Sequence, residues 1–196
     1  MTDERAISKM MRPLAQRIGN MVSRGVVSAV SAALKMQGLQ VKLLAGEVKD
    51  GLEHFEPYGY TSHPKAGAEA ITMFIDGDRS HGVVIVVADR RYRLKGLAAG
   101  EVALYDDQGQ KVHLTRGGIV VDGAGKPIAI QNTPSVTMTT PQVTMTGNLK
   151  VNGNIVADGD ISDHGNKSMA GMRGTYNSHT HNDPQGGTVA APNQGM

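Results

Sequence analysis

The sequence predicts a mainly β protein: a short N-terminal helix, a small barrel, then a narrow stalk in which several copies of the chain intertwine. Three observations predict it. Large aromatics are scarce, with two Phe, five Tyr and no Trp in 196 residues, too few for a thick core of that length. Glycine is abundant, at 25 residues. And a Thr- and Val-rich segment repeats in tandem over residues 133–146.

The helix is expected over residues 3–19, because Ile7, Met10, Met11, Leu14 and Ile18 fall at helical spacing. Thr2 suits the cap position, and Asp3 and Glu4 suit the first turn. Pro13 is a cost there and a source of a kink. A helix this short needs a partner surface to be stable.

Residues 21–95 read as a barrel of five short strands. Met21–Leu34 is rich in Val, Ala and Ser, and Leu39–Leu44 alternates Leu39, Val41 and Leu43 against Gln40 and Lys42. Gly51–Ser62 carries three aromatics, and Ala70–Ile75 and Val83–Ala88 are apolar runs flanking the turn Asp76-Gly77-Asp78. Five strands joined by turns suggest a partly open barrel of the OB type. From residue 101 the rhythm shortens: Glu101–Tyr105, Lys111–Thr115 and Ile119–Val121 are brief strands broken by Asp-Gln-Gly and Gly-Gly turns.

The repeat sets the architecture of the remainder. Thr133-Pro134-Ser135-Val136-Thr137-Met138-Thr139 recurs as Thr140-Pro141-Gln142-Val143-Thr144-Met145-Thr146. Looser units follow over 148–153 and 154–159. Two Pro and six Thr in the doublet oppose a coiled coil. As a strand, Val136 and Met138 face one way and Thr137 and Thr139 the other. Short repeated strands build β-helices or prisms. One such ribbon cannot bury its own apolar face, and its open edges invite pairing. An obligate homo-oligomer is expected, and three copies enclose a solid axis. The expected divisions are residues 1–20 (helix), 21–95 (barrel), 96–175 (stalk) and 176–196 (apex).

Composition narrows function. There is no Cys, so disulfides and thiolate chemistry are excluded. The net charge is +2, and the one dense charged cluster, Asp89–Lys95, reads as a solvated loop or subunit contact; no nucleic acid is expected. The N-terminus leads into no apolar signal region, and no run reaches a membrane span of about 20 residues, so synthesis and folding in the cytoplasm are expected. No nucleophile elbow, phosphate loop, dinucleotide fingerprint or zincin motif occurs, so no enzyme is expected.

The chemistry-bearing feature is Ser178-His179-Thr180-His181. On an extended strand His179 and His181 project to one side. Two exposed surface histidines would also explain the motif. In a trimer, each chain supplies two imidazoles, giving six around one ion. Zinc prefers four ligands, while a six-nitrogen shell suits iron. A saturated site of this kind is structural. His54, His63, His81, His113 and His164 read as surface, outer-face or turn residues. Asp158, Asp160 and Asp163 suit a hard cation such as calcium or, more simply, solvated turns.

The run Gly100–Gly109, followed by Val112-His113-Leu114-Thr115 and Gly118–Val121, together with the terminal Ser-His-Thr-His and its Gly/Pro-rich tail, resembles a known family. It is the central baseplate spike, or baseplate assembly protein V, of Mu-like and P2-like contractile-tailed bacteriophages. The resemblance covers essentially the whole chain. It implies a mainly β trimer with an OB-fold barrel, a triple-stranded β-helix and a pointed apex. It implies iron at His179 and His181, with calcium and chloride also associated at ligands that cannot be assigned. It implies a virion component seated among tail-tube, hub and baseplate proteins, whose tip pierces the host outer membrane and enters the periplasm. No segment matches the lysozyme domain of T4-like spikes. A β-helical adhesin recognising a surface glycan is the alternative, and it wants an aromatic platform that the stalk lacks. A metallohydrolase would need a further ligand and an open coordination position.

Overall fold

A computed structural model of the chain describes every residue except Met1, His164 and Asn166, with Thr2 and Asp3 described by backbone alone. The candidate cap at Thr2 and the turn histidine His164 therefore lie outside the described side chains. The chain divides into two compact units, Met1–Asn132 and Thr133–Met196.

The first unit opens with helix α1, Thr2–Asn20, which runs through Pro13 without ending. Its C-terminal turn rests on the barrel at Gly77. That residue has φ +72°, and a Cβ there would stand 2.4 Å from the Arg17 carbonyl oxygen, so the close approach requires glycine. Ile7, Met10, Met11, Leu14 and Ile18 remain exposed.

Five strands follow: β1 (Val22–Ser31), β2 (Gly38–Lys42), β3 (Val48–His54), β4 (Glu69–Phe74) and β5 (Gly82–Ala88). They close in the order β1-β2-β3-β5-β4 and back to β1. β1 is long because it serves two neighbours, pairing with β4 over Val22–Val26 and with β2 over Val26–Ser31. Gly25 lies in the tight part of this wrap, where a Cβ would meet Val41 Cγ1 at 2.4 Å. The expectation of a partly open barrel is corrected: the gap is closed by a parallel pairing of β3 with β5 at Glu53↔Val83 and His54↔Val84. The Phe55 N–H extends that seam by donating to the Val84 carbonyl at 2.9 Å.

The core is aliphatic, with Val27, Leu39, Val41, Leu43, Leu52, Val84 and one aromatic, Phe74. The aromatics expected on a Gly51–Ser62 strand are not on it. β3 ends at His54, and Phe55, Tyr58 and Tyr60 lie exposed in the loop beyond. Pro57 has no N–H for a ladder. Instead Glu56 folds the loop on itself by accepting from Thr61 Oγ1 at 2.8 Å and from the Ser62 N–H at 2.7 Å.

Two cations of the basic run are paired locally. Arg90 pairs with Glu69 at 2.7 Å, and Arg91 pairs with Asp89 at 2.6 Å.

A three-stranded antiparallel sheet completes the unit: β6 (Val102–Tyr105), β7 (Lys111–Thr115) and β8 (Gly118–Asp122). Its junction motif is a set of carboxylate-tied turns. Glu101 accepts from the Ala98 N–H at 2.9 Å, the Arg116 N–H at 3.1 Å and His113 Nε2 at 3.2 Å. Asp106 accepts from the Gln108 and Gln110 N–H groups, both at 2.9 Å. His113 stands opposite Val112 and Leu114, as alternation requires, but on the better-covered face. Cross-strand register puts Val102, Leu104, Val112, Leu114, Ile119 and Val121 on the other face. All six are exposed.

In the second unit, described residues 133–161 belong to no helix or strand. The sequence repeat is nevertheless a conformational repeat: Thr133 Oγ1 donates to the Ser135 carbonyl at 2.8 Å, and Thr140 Oγ1 to the Gln142 carbonyl at 3.2 Å. Val136, Met138, Val143, Met145, Leu149 and Ile155 are all exposed. Two short strands, β9 (Ser162–Asp163) and β10 (Lys167–Ser168), then lead into helix α2, Met169–Ser178. The sequence pattern had suggested β structure here.

Two barrel residues yield measurable expectations. Thr72 is fully buried, and among the described residues its Oγ1 has no hydrogen-bond partner. An unsatisfied buried hydroxyl costs about 1–3 kcal/mol, so Thr72→Val should raise the urea midpoint, and an unchanged or lower midpoint would contradict the assignment. His54 is also buried, with Nδ1 3.3 Å from Gln37 Oε1 and 3.8 Å from Glu56 Oε1. Burial holds its imidazole below the ordinary value of 6.5, against the opposing pull of Glu56. The folded state thus binds fewer protons here than the unfolded chain. Its contribution is complete above an unfolded pKa of about 6.5 and is lost as pH falls toward the lower folded value. Unfolding midpoints from about pH 7.5 to about pH 5.5 should decline in the parent and decline less in His54→Gln.

Candidate metal centre

The C-terminal histidine pair is positioned by α2. Ser168 caps the helix, its Oγ accepting from the Gly171 N–H at 3.1 Å. Asp160 supports the same end by accepting from the Ile161 N–H at 2.9 Å and the Ala170 N–H at 3.2 Å. A hydrogen bond from the Ser168 side chain is the main cause holding the Asp160 carboxyl below its usual range. Asp160 is thus a structural tie. At the far end, the His179 N–H donates to the Thr175 carbonyl at 3.0 Å. His179 itself has left the helix, with φ −70° and ψ 146°.

This corrects the expected setting of the pair without separating it: His179 terminates a helix instead of lying within a strand. The His179 and His181 ring centroids are 5.1 Å apart and nearly perpendicular, at 87°. His179 Nδ1 lies 2.5 Å from the Tyr176 carbonyl oxygen. A carbonyl only accepts, so Nδ1 carries the proton and donates. In the neutral ring the lone pair is then on Nε2, the atom left to ligate a metal. The Tyr176 ring stands 5.4 Å from the His179 ring.

The segment after His181 turns back. The Val189 N–H donates to the His181 carbonyl at 2.9 Å, and Asn182 bridges to Thr188. Asp183 closes the turn by accepting from the Gln185 N–H at 2.8 Å and the Gly187 N–H at 2.9 Å. The Met196 N–H returns to Asn177 Oδ1 at 2.8 Å.

Among the described residues, no group of three or more His, Cys, Asp or Glu is assembled to hold a metal. Among the described residues of this unit, the pair itself offers two imidazoles. Their type and adjacency fit an imidazole-bound ion, and a complete coordination shell would need ligands beyond this pair. The other described histidines belong to the first unit. His63 and His81 are exposed, His113 meets Glu101, and His54 is a core residue, not the surface residue its isolated position in the sequence suggested.

The N-terminal family model of bacteriophage Mu Gp45 matches residues 24–91, which span most of the barrel. The chain is 34% identical over 149 residues to the baseplate puncturing device gp45 of Escherichia phage Mu, covering 76% of this chain and 75% of that protein. It is 37% identical over 171 residues to the Mu-like prophage FluMu protein gp45 of Haemophilus influenzae, covering 85% and 91%. The chain belongs to the bacteriophage Mu Gp45 family. The Mu-like resemblance drawn from the junction and terminal motifs therefore holds, and the chain is a relative of the Mu protein, not that protein itself. The Gp45 alignment extends well beyond the barrel, since either relative is matched over more residues than the family model covers.

The cap makes a local expectation. Ser168→Ala should cost about 0.5–2 kcal/mol and speed amide exchange over residues 171–178, while leaving exchange in the barrel unchanged. Equal protection in the variant would remove Ser168 from this role.

Proposed function

We propose that three copies of this chain form a phage baseplate spike that pierces the host outer membrane mechanically during tail contraction. One observation carries it: outside the barrel, the chain presents many aliphatic side chains that are exposed in the single chain. Six lie on the β6–β7–β8 face, and Val136, Met138, Val143, Met145 and Leu149 follow in the repeat segment. Burying a Val, Leu or Ile side chain contributes about 1.5–3 kcal/mol, so packing these against the same residues of two other copies is strongly favoured. The repeat segment would wind as a triple-stranded β-helix or prism, each ribbon supplying its neighbours with strand partners. The barrel, with its β1-β2-β3-β5-β4 order, is read as an OB-fold at the end nearer the tail tube and hub. The name of the phage Mu relative, a baseplate puncturing device, supports a piercing role.

In this proposal His179 and His181 of three chains supply six imidazoles to one iron ion. Bound there, the ion ties three chain ends together and leaves no open position for substrate, so its role is structural. The Tyr176 carbonyl holds the His179 proton on Nδ1 and keeps Nε2 available. The Asp183 turn returns the chain beside His181 and limits fraying of the tip. No reaction is assigned, and force along the axis is carried by interchain packing and hydrogen bonds.

Elemental analysis with a native mass measurement tests both parts. The parent should be a trimer with about one iron per three chains. His179→Ala/His181→Ala should lose the iron and remain a trimer. One zinc per chain, or a monomeric parent, would overturn the proposal.

A further inference from the structure

We infer that the three α1 helices pack on one another as a parallel three-helix coiled coil, a second trimer contact at the opposite end of the sequence from the histidine pair. The inference rests on the three-copy reading above and adds a surface to it. Its basis is the spacing of the exposed apolar residues. Within α1, Ile7, Met11, Leu14 and Ile18 step by four, three and four residues, and Met21 continues the step just past the helix end at Asn20. That is the 3.5-residue period of a coiled-coil seam, narrower than the broad stripe a helix uses to dock on a globular surface. Met10 alone widens it on one side. All four seam residues of the helix are exposed in the single chain, as are Met10 and Met21.

The rest of the helix agrees with this register. Arg5 and Arg12 occupy one outer position of successive heptads, and Lys9 and Gln16 another. Arg17 flanks the seam, where its stem can cover apolar surface while its charge stays in water. Pro13 also falls on the outside, so any bend it causes leaves the seam continuous. Glu4 continues the seam only at the first turn, where it meets solvent. The final turn is fixed to the barrel by the contact of Arg17 with Gly77. Each helix therefore leaves its barrel from a set point. A seam of about two heptads is short for an isolated coiled coil, and here the tethering of three barrels raises the effective concentration of the helices.

The chain has no Cys, which permits a direct test in the full-length protein. Leu14→Cys places a thiol in the seam, and Gln16→Cys places one on the outer face of the same turn. Mild oxidation at low protein concentration should convert most of the Leu14→Cys protein to a covalent dimer with one free chain per trimer. Gln16→Cys should stay uncrosslinked, because Cα atoms must approach within about 7 Å for a disulfide. A native trimer in which Leu14→Cys crosslinks no more than Gln16→Cys overturns the helix bundle and leaves the spike reading standing. A monomer overturns both. Crosslinking of both variants to the same extent reports random collision and likewise overturns the bundle.

Discussion

A sheet with nothing behind one face cannot bury the side chains on that face, and the β6–β7–β8 sheet leaves six aliphatic side chains of one face exposed. The barrel escapes the constraint by closing on itself. Its parallel β3–β5 pair removes both free edges, and its interior takes up Phe74 and the aliphatic residues around it. Beyond it, Val, Leu, Ile and Met recur in the sequence, and many of them are exposed. The same number of side chains distributed at random would be ordinary surface. Six on one face of a three-stranded sheet are a contiguous apolar patch, which marks an interaction surface.

The junction motif shows how the chain keeps that face available. Glu101 and Asp106 satisfy the backbone donors of the turns on either side of β6. Each turn is then complete within one chain, and no polar group of the turn competes for the apolar face. Lys111 and Asp122, paired at 2.7 Å, keep their charges on the other face. The sheet thus arrives folded, with one side polar and internally bonded and one side apolar and open. Such preorganisation lowers the ordering cost of association.

What the sequence revealed follows from which signals are local. The five barrel strands were legible because alternation and turn residues are written in the chain, and the register of β6–β8 follows from the same alternation. The barrel closure was not, because a parallel pair between β3 and β5 is a long-range event with no marker at either strand. His54 was misplaced for a related reason: it continues the inward alternation of Leu52, but lies at the strand's last residue, where the pattern runs out. Helix α2 was hidden by its composition. Gly171, Gly174, Thr175 and Ser178 are weak helix formers, and the helix depends on Ser168 and Asp160 at its start. Met169, Met172 and Tyr176 at helical spacing were the available sign. The histidine pair was legible as a motif, but its geometry was not, because that depends on where α2 ends.

That ending bears on how a shared metal site can be assembled at all. Two requirements are separable: each imidazole must present the correct nitrogen, and enough imidazoles must converge. For His179 the first is met inside one chain. The end of α2 sets the Tyr176 carbonyl against His179 Nδ1, and the returning segment bonds the backbone at His181. The second is a property of the assembly. A site divided this way commits no chain to binding metal alone, since two imidazoles without further ligands hold an ion weakly. In the proposed spike, metal would therefore be captured only after the stalk has brought three chain ends together. The ion then closes a correctly registered trimer, whereas chains in slipped register would present their histidines at different heights. On this view, the apolar ribbon chooses the partners and the clasp records that they are aligned.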